Sequence, residues 1–312
     1  MKPSLAEDAD LSKVTFPVRF FVKIDGVRAL NLQGQLTGRS LDPFKGFGIT
    51  EYFSKPEFLG LDGEMVLGDK PNCDQRLCSL TTGAMGRFKG VTELADLHWW
   101  VFDLVTAETV NLPYSERHQM LEERVKQLNH PRIHLVPSVM LDNREELDYF
   151  ISQAFENGFE GAVLRTDSPY KEGRSDKRQQ LTRIKPWADF EILVTGLTEG
   201  DRNDNAATTN SLGRTERSSA KAGKVPNGQV GSVQGTLLAD FYDPISKKLL
   251  FAKGLAITAG SGEMSVAEAK HYFENQHELI GRFAKIKNMT HGVKLLPRFP
   301  TFVSIRLPED IS

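Results

Sequence analysis

Lys23-Ile24-Asp25-Gly26-Val27-Arg28 is the stretch on which the reading of this chain turns. From Phe20 to Asp25 the side chains alternate, with Val22 and Ile24 on one side and Lys23 and Asp25 on the other, the period of an extended strand. Gly26 then turns the chain, and Arg28 to Leu36 is predicted to be the returning strand. A lysine on a strand beside a glycine turn can offer its amine to a bound phosphoanhydride. To act as a nucleophile it must shed its proton, which calls for desolvation or a neighbouring positive charge. Arg28 can supply that charge, and its planar fork can also grip a phosphate with two parallel bonds. Taken alone, the hexapeptide equally suits a structural lysine beside a turn.

Working outward, Leu61 to Leu67 and Trp99 to Val105 read as further strands. After Pro113, the spacing of Tyr114, Met120, Leu121, Val125 and Leu128 predicts a helix over Tyr114 to Leu128. A second helix is predicted over Arg144 to Asn157, with Leu147, Phe150, Ile151 and Phe155 on one face and Gly158 as its stop. A strand follows at once from Gly161 to Arg165. Short strands mixed with helices predict an α+β domain over residues 1–188. A second, mostly β domain is predicted over residues 189–312, with strands at Gly231 to Ala239 and Leu249 to Phe251, a helix over Val266 to Leu279, and a closing segment from Val293 to Ile305. Inside it, residues 201–229 are rich in Asn, Ser, Thr, Gly and Lys and read as a mobile polar insertion.

The 312 residues suffice for two cores of ordinary size. No apolar run approaches the roughly 18 residues of a membrane span, and the opening MKPSLAEDADLSKV lacks the apolar centre of a secretory signal. Cys73 and Cys78 suit a reducing compartment and are too few for a four-ligand zinc site. The net charge of −2 disfavours a nucleic-acid partner on average, but its distribution does not. Lys13 to Lys45 holds six Lys or Arg against Asp25 and Asp42, and Arg282 to Arg306 holds six against no acid. Two solvated basic faces would satisfy the same counts.

Six further segments carry chemistry only in combination. Thr37-Gly38-Arg39-Ser40 offers an arginine that fits a turn or an anion. Asp62-Gly63-Glu64 reads as a turn or as a carboxylate for a hydroxyl, since an ionised carboxylate only accepts hydrogen bonds. In Trp99-Trp100-Val101-Phe102-Asp103, alternation sets Trp100 and Phe102 on one face and Trp99, Val101 and Asp103 on the other. An aromatic there is a core residue or a stacking ring. Glu160-Gly161-Ala162-Val163-Leu164-Arg165 opens on a carboxylate that is either a solvated acid or a hard ligand for Mg²⁺. Arg183-Ile184-Lys185-Pro186 places two cations on one face of a strand. Pro297 to Arg306 contributes Arg298 and Arg306.

In this order and spacing, the segments resemble the motifs of the ATP-dependent DNA ligases, most closely the minimal phage and viral ones. These sit within the covalent nucleotidyltransferases that also include RNA ligases and messenger-RNA capping enzymes. The family's first motif, K-x-D-G-x-R, is matched at Lys23, Asp25, Gly26 and Arg28. The resemblance implies an α+β nucleotidyltransferase (adenylation, ATP-grasp-like) domain followed by a C-terminal OB-fold β-barrel. It implies that Lys23 receives AMP from ATP and passes it to the 5′-phosphate of a nick in duplex DNA. Arg28 and Arg39 would hold that phosphate, Glu64 the ribose, and Phe102 the adenine face. Glu160 would hold Mg²⁺, for which Mn²⁺ can substitute, with Asp25 and Glu64 as further candidate ligands. Arg183 and Lys185 would converge on the α-phosphate. Arg183 departs from the usual lysine there and is the poorer proton donor, so Lys185 is the preferred contact. Arg298 and Arg306 would neutralise leaving pyrophosphate, although the usual terminal lysine of that motif is missing. A monomer acting in the cytoplasm, a host's if the source is viral or phage, completes the expectation. An RNA ligase of the same superfamily, a capping guanylyltransferase and a non-catalytic OB-containing nucleic-acid-binding protein are the alternatives. NAD⁺ as donor does not fit, because the four-cysteine zinc module of that branch is missing.

Overall fold

A computed structural model describes residues 1–44, 46–72, 76–87, 96–174 and 179–310; Lys45 and Cys73, singled out above, lie outside them. Contacts divide the chain into two units. The first is Met1–Lys185 with Asn210–Arg214, and the second is Pro186–Thr209 with Thr215–Ser312.

The first unit is built on two sheets. One has five strands in the order Glu7–Asp8, Leu181–Ile184, Gly161–Arg165, Val18–Lys23 and Ser138–Leu141. The other has four, in the order Val27–Leu30, Leu61–Leu67, Leu97–Leu104 and Ile133–Leu135. Val27–Leu30 is therefore not the returning strand of a hairpin with Val18–Lys23. It pairs with Leu61–Leu67, and the chain crosses from one sheet to the other through Ile24, Asp25 and Gly26. Space dictates the crossing residue: a Cβ on Gly26 would lie 2.4 Å from the Met65 carbonyl oxygen. Asp62-Gly63-Glu64 likewise forms no turn but sits within the strand Leu61–Leu67.

Each sheet buries its outer face under helices. Tyr114–Leu128 begins after Pro113 and is closed by Asn129 in the left-handed region at φ 41°. Its Leu121 joins Trp99, Val101 and Phe53 in the core behind the four-stranded sheet. Arg144–Glu156 is started by the Asn143 side chain, which accepts from the Glu146 N–H. Its Leu147 and Ala154 pack on Val18, Phe20 and Leu164 of the five-stranded sheet. A third cluster, including Phe21, Ile24, Val66, Tyr114 and Val136, draws on both sheets.

The second unit wraps five strands round Phe190, Ile192, Val233, Ile257 and Ile286. Their order is Trp187–Asn203, Lys224–Leu237, Ala256–Gly260, Arg298–Arg306 and Phe283–Met289, and the last pairs with the first. The expected OB-fold barrel requires correction at one seam. Ala256–Gly260 meets Arg298–Arg306 through a single parallel pair, Gly260 with Thr301. Pro300 has no N–H to extend the ladder there, and at Ser261 the chain turns away, donating its N–H to the Gly231 carbonyl. The ring of strands closes, but at this seam it does so through that one pair and not through a continuous ladder. The helix is shorter than predicted, Val266–Glu274, started by a reciprocal cap between Ser265 and Glu268.

Residues 201–229, expected to be a mobile polar insertion, contain regular strands. Trp187–Asn203 and Lys224–Leu237 stay paired out to Asn203 and Lys224, and Ala207–Thr209 pairs with Thr215–Arg217. The backbone ladder supplies regularity where the side chains, mostly exposed, give no hydrophobic alternation.

Candidate active site

A cavity of about 230 Å³ opens in the first unit, with walls from both sheets. Phe21, Val22, Lys23, Val163 and Arg183 come from the five-stranded sheet, and Arg28, Glu64 and Phe102 from the four-stranded one. Six cations among the described residues line it: Lys23, Arg28, Arg39, Arg165, Arg174 and Arg183. Among the described residues Glu64 is the one acid in the lining. Such a charge imbalance beside an apolar floor suits a ligand with a polyanionic end and a flat, weakly polar one.

Three of the sequence motifs converge because their strands are neighbours in the five-stranded sheet. Lys23 is in register with Gly161, and the Glu160 N–H donates to the Lys23 carbonyl at 3.0 Å. Gly161 is obligatory, since a Cβ there would lie 1.9 Å from the Ile184 carbonyl oxygen. This close approach brings Lys185 in beside Glu160. The Lys23 ammonium pairs with Glu160 Oε2, and Lys185 Nζ lies 2.7 Å from Glu160 Oε1. Glu160 is thus a buried acid, 3% exposed, and not a solvated one. Burial works against its charge, yet Lys23 and Lys185 outweigh it and hold the carboxyl down at about 2.

Arg28 is committed differently from the expectation. Its Nε and Nη2 lie 2.6 and 2.7 Å from the two oxygens of Asp62, so the bidentate face predicted for a phosphate is already occupied. The guanidinium sits 4.6 Å from the centre of the Phe102 ring and braces it. Behind Phe102, Asp103 points the other way, into the interior. Arg117 Nε donates to it at 2.9 Å, and Arg165 Nη2 lies 2.6 Å away. Burial opposes the Asp103 charge, but the two arginines overcome it and hold its carboxyl below the usual range.

Burial pushes the Glu64 carboxyl up to about 7, with Lys23 and Arg28 pulling against it. A raised folded-state pKa means that folding takes up a proton between about 4.5 and 7. Its stabilising share is full below that window and is lost as pH rises through it. Glu64→Gln is therefore expected to flatten the fall in stability between pH 5 and pH 8, by at most about 3 kcal/mol. Urea midpoints at both pH values measure this; an unchanged difference in the variant would show that Glu64 does not carry it.

The remaining predicted residues are dispersed. Asp25 is buried at the crossing between the sheets. Arg183 and Lys185 do not converge: Arg183 Nε reaches Asp8 at 2.7 Å, while Lys185 turns to Glu160. Arg298 and Arg306 belong to the second unit, where Arg298 Nη1 donates to the His291 carbonyl at 3.2 Å and Arg306 Nε lies 4.0 Å from Glu191.

Compared with known proteins, residues 5–185 match the model of the ATP dependent DNA ligase domain, more than half of the chain. The chain belongs to this family. A DNA ligase of Methanocorpusculum labreanum is 27% identical over 218 residues, 68% of this chain and 36% of that protein. African swine fever virus DNA ligase is 28% identical over 145 residues, 46% of this chain and 32% of that protein. The chain thus matches about a third of the length of these curated relatives. Among solved structures, Chlorella virus DNA ligase-adenylate has a TM-score of 0.50 at 23% identity over 99% of both chains. A Lig E DNA ligase has a TM-score of 0.67 at 19% identity over 98% of this chain and 99% of its own. These two likenesses are of fold.

With the family in place, the residues missed in the sequence stand out. Asp62, Arg117 and Arg165 are the ion-pair partners that fix Arg28 and Asp103, and Arg174 adds a cation to the cavity. Asp62 and Arg165 lay inside quoted motifs, at the first and last positions of D-G-E and E-G-A-V-L-R. Arg117 had no local signal, because its partner is in another element.

Proposed function

We propose that this chain seals 5′-phosphate/3′-hydroxyl nicks in duplex DNA with ATP, through AMP bound covalently to Lys23. The supporting observation is the amine of Lys23 set in the wall of a cavity with five further cations and anchored by the buried Glu160. An ATP triphosphate would meet these cations, while Phe102, backed by Arg28, offers a ring face to adenine. Lys23 attacks the α-phosphorus: a P–N bond forms, the P–O bond to pyrophosphate breaks, and the amine proton is released. The nick's 5′-phosphate then displaces Lys23 from AMP, and the 3′-hydroxyl displaces AMP to close the backbone. Arg39, in the cavity wall, is the residue left to hold the 5′-phosphate, since Arg28 is engaged by Asp62. Positioning and electrostatic stabilisation carry such transfers.

Mg²⁺ fits the donor set. Among the described residues no cluster of three or more metal-binding side chains occurs, but Mg²⁺ typically takes one or two carboxylates and completes its shell with water and substrate phosphates. Glu160 and Glu64, the first of which helps to push up the carboxyl of the second, would hold it. When bound, it would neutralise charge on the phosphates in flight. Because both Glu160 oxygens already hold ammonium groups, a cation there would displace at least one.

The test is intact-mass measurement after incubation with ATP and Mg²⁺, followed by peptide mapping. One AMP on Lys23 is expected, with none from GTP and none in EDTA. Parallel sealing assays then separate nicked DNA from nicked RNA. A folded protein that never gains AMP would refute the proposal, and sealing confined to RNA would move it to the RNA ligases.

A further inference from the structure

One wall of the cavity comes from a segment that no motif includes. Ser4, Leu5 and Ala6 line it, and the residues on either side are tied to two different edges. Ser4–Leu5 pairs in parallel with Gly173–Arg174, and Glu7–Asp8 pairs in parallel with Leu181–Ile184. At its start the strap is held from inside: the Ser4 N–H donates to the buried Tyr170 hydroxyl at 2.8 Å, and Arg28 Nη2 donates to the Ser4 carbonyl at 3.5 Å. At its end the Ala9 N–H donates to the Arg183 carbonyl at 2.9 Å, and Arg183 Nε donates to Asp8 Oδ1 at 2.7 Å. The two ends differ in exposure. Tyr170 is buried, whereas the Asp8 and Arg183 side chains are 66% and 35% exposed.

We propose that Asp8 is a stand-in anion: its carboxylate holds Arg183 in the cavity wall until a nucleotide phosphate takes its place. This rests on the reading that the cavity binds ATP. Arg183 lines the cavity and keeps its charge at any usable pH, and Asp8 pairs with it from the strap. An exposed pair of this kind is weak enough to be exchanged, while a phosphate in the cavity would gain from the other cations as well. Asp8 thereby keeps Arg183 aimed and raises the ATP concentration needed to fill the site. Asp8 acts through Arg183 and touches no reacting atom, which makes it a positioning residue. Glu7, one position earlier on the same strand, points to the opposite side, and among the described residues it forms no ion pair like that of Asp8.

The experiment measures AMP transfer to Lys23 as a function of ATP concentration for the parent chain, Asp8→Asn, Asp8→Glu and Glu7→Gln. Asp8→Asn is expected to lower half-saturating ATP by about 2- to 5-fold, the scale of an exposed ion pair, without raising the maximal rate. Asp8→Glu is expected to restore most of the parental value, and Glu7→Gln to leave both parameters unchanged. An unchanged or higher half-saturating concentration in Asp8→Asn overturns the inference. So does an equal fall in Glu7→Gln, which would assign the effect to net charge. A parent chain that gains no AMP would instead sink the reading of the cavity, so the two failures are distinct. Because Asp8 is exposed, a folding defect in its variants is checked by thermal melting, and Asp8→Glu serves as the folded comparator.

Discussion

Lys23→Met is expected to carry no AMP after exposure to ATP and Mg²⁺, and to lose nick sealing by at least about 10⁴-fold, as when other covalent catalysts lose their nucleophile. No neighbour can replace the amine. Lys185, the other amine on this carboxylate, is held at 2.7 Å on its far oxygen, and the other lining cations are arginines, which cannot lose a proton to become nucleophiles. The substitution also removes one of the two ammonium groups on Glu160, whose side chain is only 4% exposed. Lys185 remains, so the protein should fold with a modest loss of about 1–3 kcal/mol, the scale of a charged hydrogen bond. Lys23→Arg separates the two effects. It keeps a cation beside Glu160 and should restore most of the stability, yet it should remain free of AMP. If Lys23→Arg were modified, or if Lys23→Met still sealed nicks, the covalent step would belong elsewhere. Sealing of pre-adenylated nicked DNA by Lys23→Met would show that the later steps survive without the amine.

What could be read from the sequence follows from how local each cause was. The helix Tyr114–Leu128 was legible because a proline stands before it and Asn129 can adopt φ 41° after it. Its buried face was legible only in part. Met120, assigned to the apolar stripe, is 38% exposed, while Arg117, which no hydrophobic pattern would select, is fully buried. The arginine is tolerated because Asp103 neutralises it from a strand of the sheet, a contact that has no counterpart in the spacing of the helix. The crossing at Gly26 was misread for a similar reason. A glycine after a strand looks like a hairpin turn, and only the position of Met65 makes it a passage between sheets. Lys224–Leu237 begins earlier than its predicted start at Gly231 because its first four residues are exposed and carry no alternation. The motif residues were found, but their pairing was not: the sequence marks Glu160, Lys23 and Lys185, and the sheet order alone makes them neighbours.

The same logic sets the largest structural effect. Asp103→Asn is expected to cost about 3–5 kcal/mol, the usual consequence of breaking a buried ion pair by removing one partner. That is a large share of the roughly 5–15 kcal/mol that holds a domain together. The side chains of Arg117 and Asp103 are 0% exposed, and that of Arg165 is 8%. The asparagine keeps the shape but leaves two buried guanidinium groups facing one neutral amide oxygen. The damage should reach the cavity, because Arg165 lines it and also sits 4.0 Å from the centre of the Tyr114 ring, while the Tyr114 hydroxyl donates to the Phe102 carbonyl. Loosening that corner would let Phe102 drift, so the ATP concentration needed for AMP transfer should rise even at temperatures where the variant is folded. Chemical denaturation should show a lower midpoint with an unchanged slope. A triple variant, Asp103→Leu with Arg117→Met and Arg165→Met, removes all three charges and should regain much of the lost stability, because no ion is left unpaired. It should not regain AMP transfer, since Arg165 is then missing from the cavity. If the triple variant were no more stable than Asp103→Asn, the cost would lie in packing, and the ion pairs would not be what holds Phe102 in place.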